Sequence, residues 1–191
     1  MERIVLATSN KGKIKEFIRA FSHRHLECVP VNDICNVPEP EETGQTFMDN
    51  ALLKARYYSE QIGLPCLADD SGLTVEALGG APGVYSARYA GHHGDDEANN
   101  EKLIAALQGV ENRKAHYICA LALVYPDGHS ITAEGSCSGF IQDEAKGENG
   151  FGYDPYFFVP QFGKTMAELD ADTKETISHR GKALQELVKQ L

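Results

Sequence analysis

The sequence predicts an α/β fold built on a mixed sheet, and three observations predict it. Apolar strand-like runs at residues 3–7 and 26–31 alternate with helical patterns at 14–21 and from Thr46 onward. Residues 116–125 and 130–141 then form two long strand-like runs joined by Pro126-Asp127-Gly128-His129, a hairpin turn, so an antiparallel pair follows the α/β beginning. The chain has 191 residues, 42% hydrophobic and 24% charged, enough for a sizeable core in an ordinary globular protein. No repeat, low-complexity segment or linker demands a cut, so residues 1–191 read as a single domain.

Residues 3–7 are a short buried-type strand. Ile14, Phe17, Ile18 and Phe21 recur at i, i+3, i+4 and i+7, which places one apolar stripe against the sheet. Between them lies Thr8-Ser9-Asn10-Lys11-Gly12-Lys13. A loop entering a helix start offers free backbone N–H groups and the positive end of the helix dipole to an anion, and Lys11 and Lys13 add charge there. The loop lacks the G-x-x-x-x-G-K-[ST] pattern. A solvated helix start capped by Ser9 or Asn10 accounts for the same window equally well.

After the strand at 26–31, residues 32–44 are a Pro- and Glu-rich connection containing Glu39, Glu41 and Glu42. The helix from Thr46 carries Phe47, Ala51, Ala55, Tyr58 and Ile62 on one face, with Lys54 beside that stripe. Glutamates before a helix are commonly a solvated turn. They are also the densest acidic group close in sequence to the next segment.

That segment is Cys66-Leu67-Ala68-Asp69-Asp70-Ser71-Gly72-Leu73. A short apolar run is expected to end as a strand tip at Asp69 and Asp70, turn at Ser71-Gly72, and leave through a second apolar run at 73–78. Adjacent carboxylates at one tip repel unless a cation or hydrogen-bond donors lie between them. Mg²⁺ suits such a place because it takes one or two protein carboxylates and completes its shell with phosphate and water. An ordinary Asp-Ser-Gly turn is the competing reading.

Residues 79–91 form a loop too long for a tight turn, with Arg88 as its one cation, and residues 95–107 read as a helix with Leu103, Ile104 and Leu107 as its core stripe. Gly147 to Pro155 is a glycine-spaced aromatic loop leading to a short strand at 156–159. Glycines beside Phe151 let backbone approach a flat ligand, and the ring offers a stacking face for a base; aromatics plugging the core is the alternative. Ser178 caps a final helix with Leu184, Leu187, Val188 and Leu191 as its stripe. His179 and Arg180 then sit in the first turn, where cations oppose the dipole and call for an anionic or hydrogen-bonding partner. Lys174 lies shortly upstream.

A formal net charge of -10 and a pI near 5.1 argue against a nucleic-acid-wrapping surface while leaving room for a small phosphorylated ligand. No apolar run suits a signal segment or a membrane span, and the chain reads as cytoplasmic. The five cysteines include no C-x-x-C pair, and with the histidines at 23, 25, 92, 93, 116, 129 and 179 they make no metal-ligand pattern. Cys66 and Cys119 are expected as reduced core residues.

Six separated blocks together resemble the inosine/xanthosine triphosphate pyrophosphatase family. They are Thr8 to Lys13; Glu42-Thr43-Gly44-Gln45-Thr46-Phe47 with Asn50-Ala51 and Lys54-Ala55; Ala68 to Leu73; Leu78 to Arg88; Gly150-Phe151-Gly152-Tyr153-Asp154-Pro155; and Ile177-Ser178-His179-Arg180-Gly181. The match runs in order from the first strand to the last helix, with Asp49 in place of an expected glutamate. The resemblance implies an elongated mixed β-sheet flanked by helices, two lobes with a central nucleotide cleft, and a homodimer. It implies Mg²⁺-dependent hydrolysis of inosine, deoxyinosine and xanthosine triphosphates to monophosphate and pyrophosphate.

By position, the resemblance places Thr8, Ser9, Asn10, Lys11, Gly12, Lys13 and Lys54 near phosphate, and Glu42 and Asp70 on the metal, with Asp70 also the proton acceptor. Ser71, Phe151, Gly152, Tyr153, Asp154, Lys174, His179 and Arg180 would contact the nucleotide. Two other functions compete: an enzyme of a neighbouring class, acting as a pyrophosphatase on modified pyrimidine triphosphates or as a broad triphosphatase, and a nucleotide-binding module without turnover. Glu42 with Asp70 favours turnover over sensing, and His179-Arg180 favours a 6-oxopurine over a pyrimidine.

Overall fold

The computed structural model describes residues 2–22 and 26–191, and only the backbone of Glu2. His23 and His25, included above in the search for metal-ligand patterns, lie outside the described residues. The elements in chain order are β1 (Glu2–Leu6), α1 (Lys11–Phe21), β2 (Leu26–Pro30), α2 (Phe47–Ile62), β3 (Cys66–Val75), α3 (Asp96–Ala106), β4 (Lys114–Val124), β5 (Ser130–Ile141), β6 (Phe157–Val159), β7 (Lys164–Thr165), α4 (Ala171–Ile177) and α5 (His179–Val188). Short 3₁₀ turns occupy Val31–Asp33, Glu76–Leu78, Gly83–Arg88 and Met166–Glu168.

The strands form one open, mixed sheet in the order β2-β1-β3-β4-β5-β6-β7. β1 runs parallel to β2 and to β3, whereas β6 is antiparallel to β5 and to β7. Parallel neighbours require crossover connections, which α1 and α2 supply. The predicted fold class is therefore the one found. The chain also divides into two compact units. The first comprises 1–70, 119–135 and 180–191; the second comprises 71–118 and 136–179.

In the first unit the central strands are buried on both faces. Ile4, Leu6, Leu67, Cys119, Leu121 and Leu123 pack with Phe17 and Phe21 of α1 and with Ala183, Leu184 and Leu187 of α5. The alternate residues Val5, Ala7, Cys66, Ala68, Ala120, Ala122 and Val124 pack with Ala51, Ala55 and Tyr58 of α2. Side chains alternate along a strand, so two covered faces demand the unbroken apolar runs seen in the sequence. The second unit has its own core, centred on Leu73, Leu103, Leu107, Tyr117, Phe157 and Met166.

Local chemistry sets the helix ends. Asn10 Oδ1 accepts from the N–H groups of Gly12 and Lys13 at 2.9 and 3.1 Å, the cap expected there. Thr46 and Asp49 close a reciprocal capping box on α2, so the aspartate at 49 serves where a glutamate was expected. α3 is capped by Asp95.

Three expectations need correction. The segment Asp69-Asp70-Ser71-Gly72 is no turn: it lies inside a single ten-residue strand. Turn-forming residues are carried in extended form because the apolar residues on either side belong to three cores that the same strand serves. Ile18 is 45% exposed and Leu191 is 47% exposed, so neither completes its stripe. α4 was not foreseen, since seven residues hold too little apolar periodicity; its only sequence mark is Asp170, whose side chain accepts from Thr173 N–H at 2.8 Å.

Phe17→Ala should lower unfolding free energy by about 3–5 kcal/mol in urea titrations, the usual cost of emptying an aromatic core position. Ile18→Ala, its exposed neighbour, should change it by no more than about 0.5 kcal/mol.

Candidate active site

β3 separates its two adjacent carboxylates. Asp69 continues the face of Leu67, toward α1 and α5, while Asp70 continues the face of Ala68, toward α2. The repulsion expected from neighbouring acids at one tip is thus relieved by the pleat, and each acid has a different set of partners.

Asp69 is 1% exposed. Its Oδ2 meets Lys13 Nζ at 3.1 Å and Arg180 Nη2 at 3.2 Å, and Arg180 also pairs with Glu16 through Nη1. Burial pushes the Asp69 carboxyl up, but Lys13, Arg180 and Lys54 outweigh it and hold the group well below the usual carboxylate range. Arg180, 2% exposed, is held charged by Asp69 and Glu16 against its own desolvation. The anionic partner demanded by a cation in the first turn of α5 is therefore present, and it is internal.

Asp70 is held differently. Asn50 Nδ2 donates to its Oδ2 at 3.0 Å, and Asn50 Oδ1 accepts from Gly44 N–H at 2.7 Å. A Cβ on Gly44 would lie 2.4 Å from that same Oδ1, so only glycine lets the connection approach. Lys54 Nζ lies 2.6 Å from Glu42 Oε1 and 3.9 Å from Asp70 Oδ1. Burial pushes the Asp70 carboxyl up to about 6; Lys54 pulls against this and Glu42 adds to it. Burial draws the Lys54 ammonium down, yet Asp70, Asp69 and Glu42 together leave it raised and charged. Among the described residues no three His, Cys, Asp or Glu side chains gather as a metal site. Glu42 and Asp70 nonetheless fit a hard cation that needs one or two carboxylates: both offer oxygen donors, and Asp70 is a buried acid whose negative charge is incompletely neutralised.

At the α1 entry, Thr8 Oγ1 accepts from Asn10 N–H at 3.2 Å, Ser9 and Lys11 are exposed, and the Gly12 and Lys13 amides are engaged by the Asn10 cap. Of the two lysines there, Lys13 pairs with Asp69.

A second cluster lies in the second unit. Asp154 is its centre: Oδ2 accepts from Lys174 Nζ at 2.8 Å and from Phe151 N–H at 3.1 Å, and Oδ1 accepts from the Tyr117 hydroxyl at 3.0 Å. Lys174 Nζ also sits 4.8 Å from the Phe151 ring centroid, in cation–π range. His179 stacks on Tyr117, centroids 4.6 Å apart at 10°. A Cβ on Gly150 would fall 2.1 Å from Asp154 Oδ2, so this glycine, at φ +74°, makes room for the carboxylate inside the loop. Gly152 reaches φ +63°, and the Tyr153 hydroxyl donates to the Ser86 carbonyl at 2.7 Å. Ser71, partly buried, follows Asp70 on β3.

The candidate residues thus fall into an acid–lysine cluster in the first unit and an aromatic–lysine cluster in the second. Sequence reasoning missed Asn50, Glu16 and Tyr117. Asn50 had a signal, being four residues before Lys54 and therefore on the same helical face. Tyr117 had none: it is one apolar residue among many in a buried strand.

Comparison with known proteins identifies the family. The family model described as the Ham1 family matches residues 4–190, spanning both units. The chain belongs to the Ham1 family. It is 54% identical over 194 residues to a dITP/XTP pyrophosphatase of Haemophilus influenzae, covering 100% of this chain and 99% of that one. It is 49% identical over 191 residues to a dITP/XTP pyrophosphatase of Bacillus anthracis, covering 98% and 95%. Among solved structures, a Ham1 protein of Coxiella burnetii superposes with TM-score 0.90 at 43% identity over 100% of this chain and 98% of that one, and the Ham1 protein of Staphylococcus aureus with TM-score 0.88 at 42% over 99% and 97%. Among the described residues no helix of this Ham1-family chain is long and apolar enough to cross a membrane.

Asp69→Ala should cost about 3–5 kcal/mol in urea, because it takes from the buried Arg180 and from Lys13 the carboxylate they share. Asp70 should act in the opposite sense. Its folded-state pKa lies above the ordinary 3.8, at about 6, so the folded protein keeps a proton between those values and loses stability as pH rises through them. Measured with chelator present, the melting temperature of Asp70→Asn minus that of the unsubstituted protein should therefore grow between about pH 4 and about pH 7.

Proposed function

We propose that this Ham1-family chain hydrolyses the non-canonical purine nucleoside triphosphates ITP, dITP and XTP at the α-phosphorus, yielding monophosphate and pyrophosphate. The observation that carries the reading is the buried carboxyl of Asp70, raised to about 6, donated to by Asn50 and set beside Lys54 and Glu42. A buried acid poised near neutrality, its charge incompletely compensated, is what orienting and deprotonating a water requires. The full-length similarity to enzymes described as dITP/XTP pyrophosphatases supports the substrate class.

Enzymes of this class typically depend on a divalent cation, and Glu42 and Asp70 are the residues assigned to hold it, as Mg²⁺. Bound there, the cation would neutralise phosphate charge and acidify water. Lys54 compensates the charge that builds on the α-phosphate oxygens, and Asn50 fixes the Asp70 carboxylate so that its free oxygen is aimed at the water. The loop from Thr8 to Lys13 takes the leaving pyrophosphate, with Ser9 and Lys11 exposed for it and Lys13 joining from its place beside Asp69. Arg180, buried between Asp69 and Glu16, anchors that lysine's partner and so supports the loop from beneath.

Base selection falls to the second cluster. Phe151 supplies the stacking face, and Lys174 and His179 supply donors that suit the 6-oxo group of hypoxanthine or xanthine and oppose the 6-amino group of adenine. Donors left unpaired against adenine make the rejection strong. Gly152, Tyr153 and Asp154 hold these groups in place, and Ser71 lies at the start of the same unit. We further assign the chain to the cytoplasm, as a homodimer that removes deaminated purines from the nucleotide pool.

A panel of nucleoside triphosphates with the purified protein, with and without Mg²⁺ and chelator, tests this by separating pyrophosphate from orthophosphate. ITP, dITP and XTP should release pyrophosphate in a metal-dependent way and outpace ATP. Orthophosphate release would refute attack at the α-phosphorus, and equal rates on ATP and ITP would refute the base selection. Asp70→Asn should stay folded by circular dichroism yet lose at least about 100-fold in kcat, the usual scale for removing a general base.

A further inference from the structure

The aromatic loop has a backbone hinge that its own side chains do not hold. Gly152 sits between Phe151 and Tyr153 at φ +63°, with no atom within 4 Å of where a Cβ would be. Such a position is conformationally free unless its peptide groups are tied down. Both are tied, by one helix. The Gly152 N–H donates to Asp96 Oδ2 at 2.8 Å, and the Gly152 carbonyl accepts from Asn100 Nδ2 at 2.9 Å.

Asp96 and Asn100 are one turn apart on α3, and Asn100 Nδ2 also donates to the Asp96 carbonyl at 2.9 Å. The amide is therefore oriented by two acceptors and cannot flip without losing both. Asn100 is 7% exposed, and Asp96 is exposed. Asp95 caps α3, so Asp96 is not needed for that purpose. Nothing in the reaction assigned above uses either residue.

We propose that Asp96 and Asn100 are positioning residues for nucleobase binding: they clamp Gly152 and thereby fix the plane of the Phe151 ring against Lys174. The inference rests on the reading of Phe151 as the base-stacking face. A charge-assisted hydrogen bond to a backbone amide is strong enough for its loss to matter in binding. The clamp touches no phosphate, so its loss falls on KM and on discrimination between bases and spares kcat at saturation.

The experiment measures kcat and KM for ITP and ATP by pyrophosphate release, with melting temperatures, for Asp96→Ala, Asp96→Asn, Asn100→Ala and Phe151→Ala. Asp96→Ala should raise KM for ITP about tenfold, with kcat within about twofold and an unchanged melting temperature. Asp96→Asn keeps an acceptor oxygen without the charge and should restore most of the affinity. Asn100→Ala, where it stays folded, should raise KM in the same direction. A rise in Asp96→Ala that Asp96→Asn fails to rescue would assign the effect to charge at the helix start and overturn the clamp. Unchanged KM in Asp96→Ala beside a raised KM in Phe151→Ala would overturn it while leaving the base site standing. Unchanged KM in Phe151→Ala would refute the base site and the clamp with it.

Discussion

The pleat of β3 at Asp69 and Asp70 is the constraint on which the rest of the first unit depends. Two neighbouring carboxylates would oppose each other on one surface; in an extended strand they face opposite ways. Asp69 is thereby delivered into a fully covered space between α1 and α5, where Lys13 and Arg180 must follow it. Asp70 is delivered toward α2, where Asn50 orients it but the charge balance is left incomplete. One acid is neutralised into the architecture, and the other keeps a raised pKa. The same backbone accomplishes both because each face of the strand has its own helices and its own core.

That division has an energetic logic. A buried pair such as Asp69 with Arg180 contributes little net stability compared with an apolar replacement, yet breaking it is costly. Here it ties the start of α5 and the side of α1 to a single residue of β3. Asp70 pays the desolvation without full compensation.

The second unit solves a different problem, holding an aromatic loop rich in glycine in one conformation. Asp154 gathers a lysine, a backbone amide and a tyrosine hydroxyl, and the tyrosine in turn stacks on His179. Burial and the adjacent Asp154 push the Tyr117 hydroxyl well above its usual range, so it stays a donor. The glycines were expected to bring backbone close to a flat ligand. Gly150 brings it close to Asp154, and Gly152 allows a left-handed hinge that α3 then closes. Flexible residues and rigid geometry coexist because Asp154 within the loop and Asp96 and Asn100 of α3 satisfy its peptide groups.

By itself the sequence determined the element types wherever apolar periodicity was long: both faces of β1 and β4, the stripes of α2 and α3, and the hairpin at Asp127-Gly128; it narrowed the cap of α1 to Ser9 or Asn10. It also marked the chemistry-bearing residues, since acids, lysines and glycines in apolar surroundings stand out without a structure. Only the tertiary structure decided how those residues pair. Asp69-Asp70-Ser71-Gly72 reads locally as a turn and becomes a strand because the cores on either side of it hold it extended. Arg180 reads as a ligand-facing cation and is buried against Asp69 and Glu16, residues 111 and 164 positions away. Tyr117 is indistinguishable from core until Asp154 and His179 are placed against it. Periodicity is written in neighbours along the chain, whereas charge pairing and loop clamping join residues far apart in it, and those contacts exist only once the sheet and its helices have brought them together.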